Sequence, residues 1–195
     1  MPIGSPQWMY ASGEAFTLDQ SLRFEDGDTP YLSKTPASAG NRNTFTHSFW
    51  FKQGNIVDGG IIGVGTSGSN YWNIRLQPDY ISVVEESSAQ KLGLRTNRKT
   101  RDPSAWYHIV LATDTTQGVA ANRCKLYING EQETSFSEEV YPDEDEDLLV
   151  NSTVIHYIGR LGNSATHFDG YLAEVHFIDG TALTPTSFGE TGDYG

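Results

Sequence analysis

Trp106-Tyr107-His108-Ile109-Val110-Leu111 and, further along, Cys124-Lys125-Leu126-Tyr127-Ile128-Asn129-Gly130-Glu131 are the stretches that decide the fold. In the second, Cys124, Leu126 and Ile128 fall on one side of an extended chain, and Lys125, Tyr127 and Asn129 on the other, because successive strand side chains point to opposite faces. Asn129-Gly130 then reads as a two-residue hairpin turn, since both central positions of that turn require positive φ. The first stretch is apolar on both faces, as expected of a central strand covered from both sides. Cys124 lies on the apolar side of its strand and is expected to be a buried small hydrophobe rather than a nucleophile.

Outward from this pair, the same grammar covers most of the chain. Apolar residues recur with period two or in short runs, with turn residues between them, and no window carries a helical stripe with caps. Strands are expected at 21–24, 44–52, 60–64, 71–76, 80–85, 106–113, 123–129, 154–159 and 170–178, with shorter ones at 31–33, 91–95 and 131–136. About a dozen strands suffice for two packed antiparallel sheets, so the expected fold is an all-β sandwich of jelly-roll type. Residues 1–20, with Pro2, Pro6, Trp8 and Tyr10, read as an N-terminal arm or irregular first strand. Residues 21–180 form the sandwich, and 181–195 a loop-like tail.

Composition agrees with one self-sufficient core. A chain of 195 residues with 37% hydrophobic and 12% aromatic content can bury roughly 70% of its unfolded surface. The single cysteine leaves no internal disulfide to be made. A formal charge of −12 argues against nucleic acid as a partner, which demands a positive surface. No apolar run has the length of a membrane span, and the opening Met1-Pro2-Ile3-Gly4-Ser5 lacks the basic start and apolar stretch of a signal peptide.

Charge is clustered. Glu138, Glu139, Asp143, Glu144, Asp145, Glu146 and Asp147 form an acidic run, and Lys91, Arg95, Arg98, Lys99 and Arg101 a basic one. Each run reads as a solvated loop. Alternatively, the acidic run meets the basic run of a neighbouring subunit, which makes Arg95, Arg98, Arg101, Asp143, Asp145 and Asp147, together with the aromatic Trp8 and Tyr10 of the arm, candidates for an assembly interface. Asp143, Asp145 and Asp147 also offer oxygens of the kind Ca²⁺ takes, but the glycine and final glutamate of a calcium loop are missing. No cofactor and no metal site are expected on these grounds.

Catalytic chemistry finds no carriers. The chain holds no Gly-x-Ser-x-Gly elbow, no phosphate-binding glycine loop and no His-Glu-x-x-His. His47, His108, His156, His167 and His176 are scattered singly. Glycoside hydrolysis needs two carboxyl groups across a groove, and no strand carries them on alternate positions. The expected protein is therefore not an enzyme. Aromatic residues beside polar ones suit sugar stacking. Tyr71, Trp72 and Asn73 after Gly68-Ser69-Asn70, and Tyr80 after Pro78-Asp79, are the glycan-binding candidates, with ordinary strand packing as the alternative.

Several segments are familiar. Trp106-Tyr107-His108-Ile109-Val110 with Lys125-Leu126-Tyr127-Ile128-Asn129-Gly130 resembles the paired central strands of laminin-G-like domains of the concanavalin A-like superfamily. Ile158-Gly159-Arg160 with Phe168-Asp169-Gly170-Tyr171-Leu172-Ala173-Glu174-Val175 resembles its closing segment, and Ser21-Leu22-Arg23-Phe24 with Thr46-His47-Ser48-Phe49-Trp50-Phe51 its opening strands. A narrower resemblance, to virion-associated proteins of tailed and especially marine bacteriophages, rests on Gly4-Ser5-Pro6-Gln7-Trp8, on Tyr31-Leu32-Ser33 with Ala39-Gly40-Asn41-Arg42, and on Phe177-Ile178-Asp179-Gly180-Thr181-Ala182-Leu183-Thr184-Pro185. The resemblance implies a non-enzymatic structural protein on the exterior of capsid or tail, as a homo-oligomer with other virion proteins as partners. Its lectin-like sandwich would recognise host-surface polysaccharide or, in the other reading, serve as a capsid decoration or tail-accessory subunit with no sugar ligand.

Overall fold

The structure, a computed structural model, describes residues 20–189. Among them run β1 (Leu22–Phe24), β2 (Leu32–Lys34), β3 (Thr44–Gln53), β4 (Gly59–Ser67), β5 (Asn70–Leu76), β6 (Ile81–Ser87), β7 (Ala89–Thr96), β8 (Tyr107–Asp114), β9 (Cys124–Ile128), β10 (Glu131–Gln132), β11 (Phe136–Val140), β12 (His156–Ile158) and β13 (Gly170–Asp179). Helical structure among the described residues is confined to three single turns. The strands form two antiparallel sheets, one of six strands in the order β1-β13-β3-β8-β9-β10 and one of seven in the order β11-β7-β6-β5-β4-β12-β2. The all-β two-sheet sandwich is thus the fold the alternation predicts.

The core is the meeting of the two inner faces. Phe45, Phe49 and Phe51 on β3, Ile109 and Leu111 on β8, and Cys124, Leu126 and Ile128 on β9 belong to one buried cluster with Trp72, Ile74 and Leu76 on β5 and Leu92 and Leu94 on β7. The Asn129-Gly130 turn has φ of 51° and 83°, and β10 pairs back on β9 as expected. Burial pushes the Cys124 thiol up to about 12, which leaves it an inert apolar filler.

Two expectations need correction. The stretch 131–136, read as one strand, is two strands in different sheets: β10 pairs with β9, whereas β11 pairs with β7. The chain crosses between sheets at Glu133, whose buried carboxylate accepts the N–H groups of Thr134 (3.2 Å) and Ser135 (3.0 Å) and faces Arg98 at 3.2 Å. A carboxylate that satisfies two bend amides lets the backbone turn without leaving them unpaired. In addition, the acidic run starts inside a strand, because Glu138 and Glu139 belong to β11.

One end of the sandwich is sealed by the long connection from β11 to β12. Leu148, Leu149 and Val150 are buried there. Arg42 Nε donates to the Leu148 carbonyl (2.7 Å), and the Leu149 N–H donates to Glu85 (2.9 Å), a β6 residue only 1% exposed.

Candidate functional site

Period two on β5 separates its residues cleanly. Trp72 is fully buried with its ring stacked on His47 of the opposite sheet, at 5.1 Å between centroids. Tyr71, Asn73 and Arg75 therefore belong to the other, outer face of the seven-stranded sheet. Strand pairing aligns them into rows. Gly60, Arg75, Ser82, Arg95 and Glu138 stand opposite one another across five strands, Gly63, Asn73, Val84, Gly93 and Val140 form the next row, and Gly65, Tyr71 and Glu86 the one after.

Half of this face is roofed. Segment 160–167 folds over β4, closed by the Arg160–His167 bridge and the Leu161 N–H bond to Thr166 O at 3.1 Å. Asn73 fastens it: its carbonyl oxygen accepts the Gly162 N–H (2.7 Å), and its amide donates to Asn163 (3.0 Å). The approach is so close that a Cβ on Gly162 would lie 2.2 Å from Val64 O, and one on Gly63 would lie 2.3 Å from Gly162 N. Gly162→Ala is accordingly expected to destabilise the protein by about 1–3 kcal/mol through overpacking against backbone, measurable as a lower midpoint in urea.

The open half is polar and doubly charged. Tyr71 donates to Glu86 at 2.6 Å, and its own hydroxyl is pushed up to about 12, first by burial and then by that carboxylate. Arg95 pairs with Glu138 (3.0 Å), which also accepts from the Gln90 amide. The Nε atoms of both Arg75 and Arg95 are buried without a hydrogen-bond partner among the described residues. Beside them Tyr80 lies under two cations, with Arg95 5.6 Å and Lys99 4.5 Å from its ring centre. Asp79 holds Lys99 (2.9 Å) and Arg101 (2.6 Å), and those bonds, that of Arg101 foremost, keep its carboxyl below the usual range. The face thus combines donors, acceptors and an aromatic ring within one strip, which is what a ligand rich in hydroxyl groups requires.

Of the expected glycan residues, Tyr71, Asn73 and Tyr80 border this strip, but each is already engaged: Tyr71 by Glu86, Asn73 by the roof and Tyr80 by its cations. Trp72 is a correction, since a ring with no exposed surface cannot stack on a sugar. Sequence reasoning missed Arg75, Ser82, Glu86 and the 160–167 roof. Strict alternation from Tyr71 would have reached Arg75, whereas the row through Ser82 and Arg95 needs three strands in register.

The acidic and basic runs meet inside one chain. Lys91 bonds Glu146 and Arg95 pairs with Glu138, whereas Arg98 pairs with Glu131 at 2.9 Å, and Lys99 and Arg101 with Asp79, both carboxylates lying outside the acidic run. Asp147 faces Arg42 at 3.6 Å. Trp8 and Tyr10 lie outside the described residues. Asp143, Asp145 and Asp147 are not gathered into one ligand set; the carboxylates that do gather among the described residues are Glu25, Asp26 and Asp169, with ligand atoms within 4.8 Å of one another. Burial, then the charges of Asp26 and Glu25, raise Asp169, while Asn55 donates to it at 2.8 Å. These hard oxygens are of the type that holds Ca²⁺.

Comparison with known proteins follows the architecture. The family model of the concanavalin A-like lectin/glucanases superfamily matches residues 26–187. No curated protein matches the chain. Among solved structures, domain 4 of an extracellular arabinanase from Geobacillus stearothermophilus, in complex with arabinotriose, superposes with a TM-score of 0.56 at 20% identity, covering 75% of this chain and 65% of that one. Domains LG4-5 of the mouse laminin alpha1 chain give 0.60 at 12% identity, over 94% of this chain and 50% of that one. The module of a Ruminococcus gnavus sialidase bound to sialyllactose gives 0.51 at 12%, over 80% and 95%. At these identities the likeness is one of fold.

Proposed function

Because this chain belongs to the concanavalin A-like lectin/glucanases superfamily, we propose that it is a non-enzymatic lectin-like module that binds glycan on the outer face of its seven-stranded sheet. The observation that carries the reading is the pair of arginines, Arg75 and Arg95, that stand in one row of the unroofed half of that face beside the Tyr80 ring. Their guanidinium groups are donors suited to the oxygens of such a ligand. Ser82, between the two arginines in the same row, and the carboxylates of Glu86 and Glu138 supply the matching acceptors. The arabinotriose-bound and sialyllactose-bound neighbours support sugar as the ligand class.

Binding without hydrolysis suits the carboxyl groups present. On this face Glu86 is held by Tyr71 and Glu138 by Arg95 and Gln90. Glu85, a carboxyl raised towards the range of a general acid, points into the sandwich and bonds the Leu149 amide, out of reach of a substrate.

The setting we propose is the exterior of a tailed-phage particle, supported by the sequence words shared with virion-associated proteins. Host-surface polysaccharide is then the ligand. The assembly reading has less to draw on, since two of the pairings offered for it, Lys91 with Glu146 and Arg95 with Glu138, are made within the chain. The test is a glycan array followed by titration of Arg75→Ala and Arg95→Ala. Each variant is expected to lose at least about tenfold in affinity, the equivalent of ~1.4 kcal/mol, with an unchanged Tm. Unaltered affinity in both would remove the site. A wild-type protein that binds no glycan, while antibodies label the capsid surface, would establish the decoration role instead.

A further inference from the structure

His156 on β12 is bonded to the backbone through both ring nitrogens. Its Nε2 accepts the Asn151 N–H at 3.0 Å, and its Nδ1 lies 2.7 Å from the Val154 carbonyl oxygen. A backbone N–H can only donate and a carbonyl only accept, so this ring is neutral and carries its proton on Nδ1. The ring is half-buried. Burial holds it below the usual histidine range, against the opposing help of the Val154 carbonyl.

Asn151, the residue held by this ring, ties three segments together. It sits at a φ of 60° in the connection from β11 to β12. Its carbonyl accepts the Gly40 N–H (3.0 Å), and its side-chain amide donates to Asn41 O (3.1 Å) and to Asp179 Oδ1 (2.8 Å) at the end of β13. The same carboxylate oxygen accepts the Asn41 N–H at 2.9 Å. Asn41 Oδ1 in turn accepts the N–H groups of Asn43 (2.9 Å) and Thr44 (2.8 Å), where β3 begins. The fit is tight, since a Cβ on Gly40 would lie 2.2 Å from Asn151 Nδ2. One chain of hydrogen bonds therefore runs from the imidazole through Asn151 to residues 40–44 and to β13.

We infer that this chain is an acid-sensitive latch: a proton on His156 Nε2 turns the acceptor of the Asn151 N–H into a second donor, and Gly40 and Asn41 come loose from the connection and from β13. Two donors facing each other make no bond, and Asn151 loses the contact that fixes its left-handed turn. Arg42 keeps its bond to Leu148 O, which does not involve the ring, so the release stops short of β3. Among the described residues, Lys34 stands opposite His156 on β2, and β4 brings the uncharged Val64. His47 of β3 and His176 of β13 line one cavity with it, and Glu174 lies 3.3 Å from His176. Asp179 reaches it only through Asn151. The cations oppose a further positive charge and the two carboxylates favour it, so opening belongs on the acid side of neutrality.

The deciding measurement is nuclear magnetic resonance of the full-length protein between pH 7.5 and 4.5. Imidazole nitrogen shifts are expected to show the Nδ1–H tautomer of His156 at pH 7.5. As the ring takes up its proton, protection of the Asn151 and Gly40 amides from hydrogen exchange should fall by at least about tenfold, while amides of β8 and β9 keep theirs. His156→Ala should lower the same two protections already at pH 7.5 and remove their pH dependence. An Nε2–H tautomer, a ring that stays neutral down to acid unfolding, or protection at Gly40 and Asn151 that ignores the titration overturns the latch. Loss of protection in β8 and β9 at the same pH overturns it in favour of global acid unfolding.

Discussion

At pH 8, Glu85→Gln is expected to raise Tm by about 5 °C, and at pH 5 to leave it unchanged. Glu85 is raised from 4.5 to about 7, first by burial, against the opposing help of the Leu149 N–H and the Lys91 charge. The folded state therefore holds a proton that the unfolded chain has already released between those two values. Stability contributed by this group is fully present below about pH 4.5 and is lost as pH rises through 7, by up to about 3 kcal/mol. Glutamine keeps an oxygen for the Leu149 amide and cannot ionise, so most of the loss should be recovered above pH 7. Thermal melts at the two pH values check this. A lower Tm of Glu85→Gln at pH 8 would mean that the carboxylate is wanted there as the partner of Lys91.

Acid should act through His47, with a larger expected effect and the opposite sign. Its ring is buried between Trp72, Phe45 and Phe177, its Nδ1 has no hydrogen-bond partner among the described residues, and burial, aided by the nearby His156, lowers it from 6.5 to about 3. The unfolded chain binds this proton near pH 6.5 and the folded one only near 3. Its contribution is therefore intact above 6.5 and is lost as pH falls towards 3, in total about 5 kcal/mol. His47→Phe retains a flat ring for the stack and removes the titration. Relative to wild type, the variant is expected to gain midpoint denaturant concentration steadily as pH falls from 6.5 to 4. An equal decline in both would place the acid-sensitive group elsewhere. Between pH 4.5 and 6.5 the two groups oppose each other, so Glu85→Gln should expose the His47 limb more sharply.

The candidate site was only half legible. Tyr71-Trp72-Asn73 attracted notice as a cluster of adjacent residues, yet neighbours on a strand face opposite ways, and the heavier ring went to the core. The charged residues of the face, Arg75, Arg95 and Glu138, are far apart in the chain and meet only because β5, β6, β7 and β11 are paired in one register. The break at Glu133 was hidden for a related reason: alternation runs on through residues 131–136, and only the buried carboxylate that caps two amides shows where the chain changes sheets.

By itself the amino-acid order determined which residues alternate, where Asn129-Gly130 turns and hence that this is a two-sheet antiparallel sandwich, because side-chain direction and turn conformation are local properties of the backbone. Tertiary structure alone decided which side of each strand meets the opposite sheet, which charges neutralise each other and which donors are left over. Those depend on strand register across distant segments, and a shift of one residue would reverse every one of them.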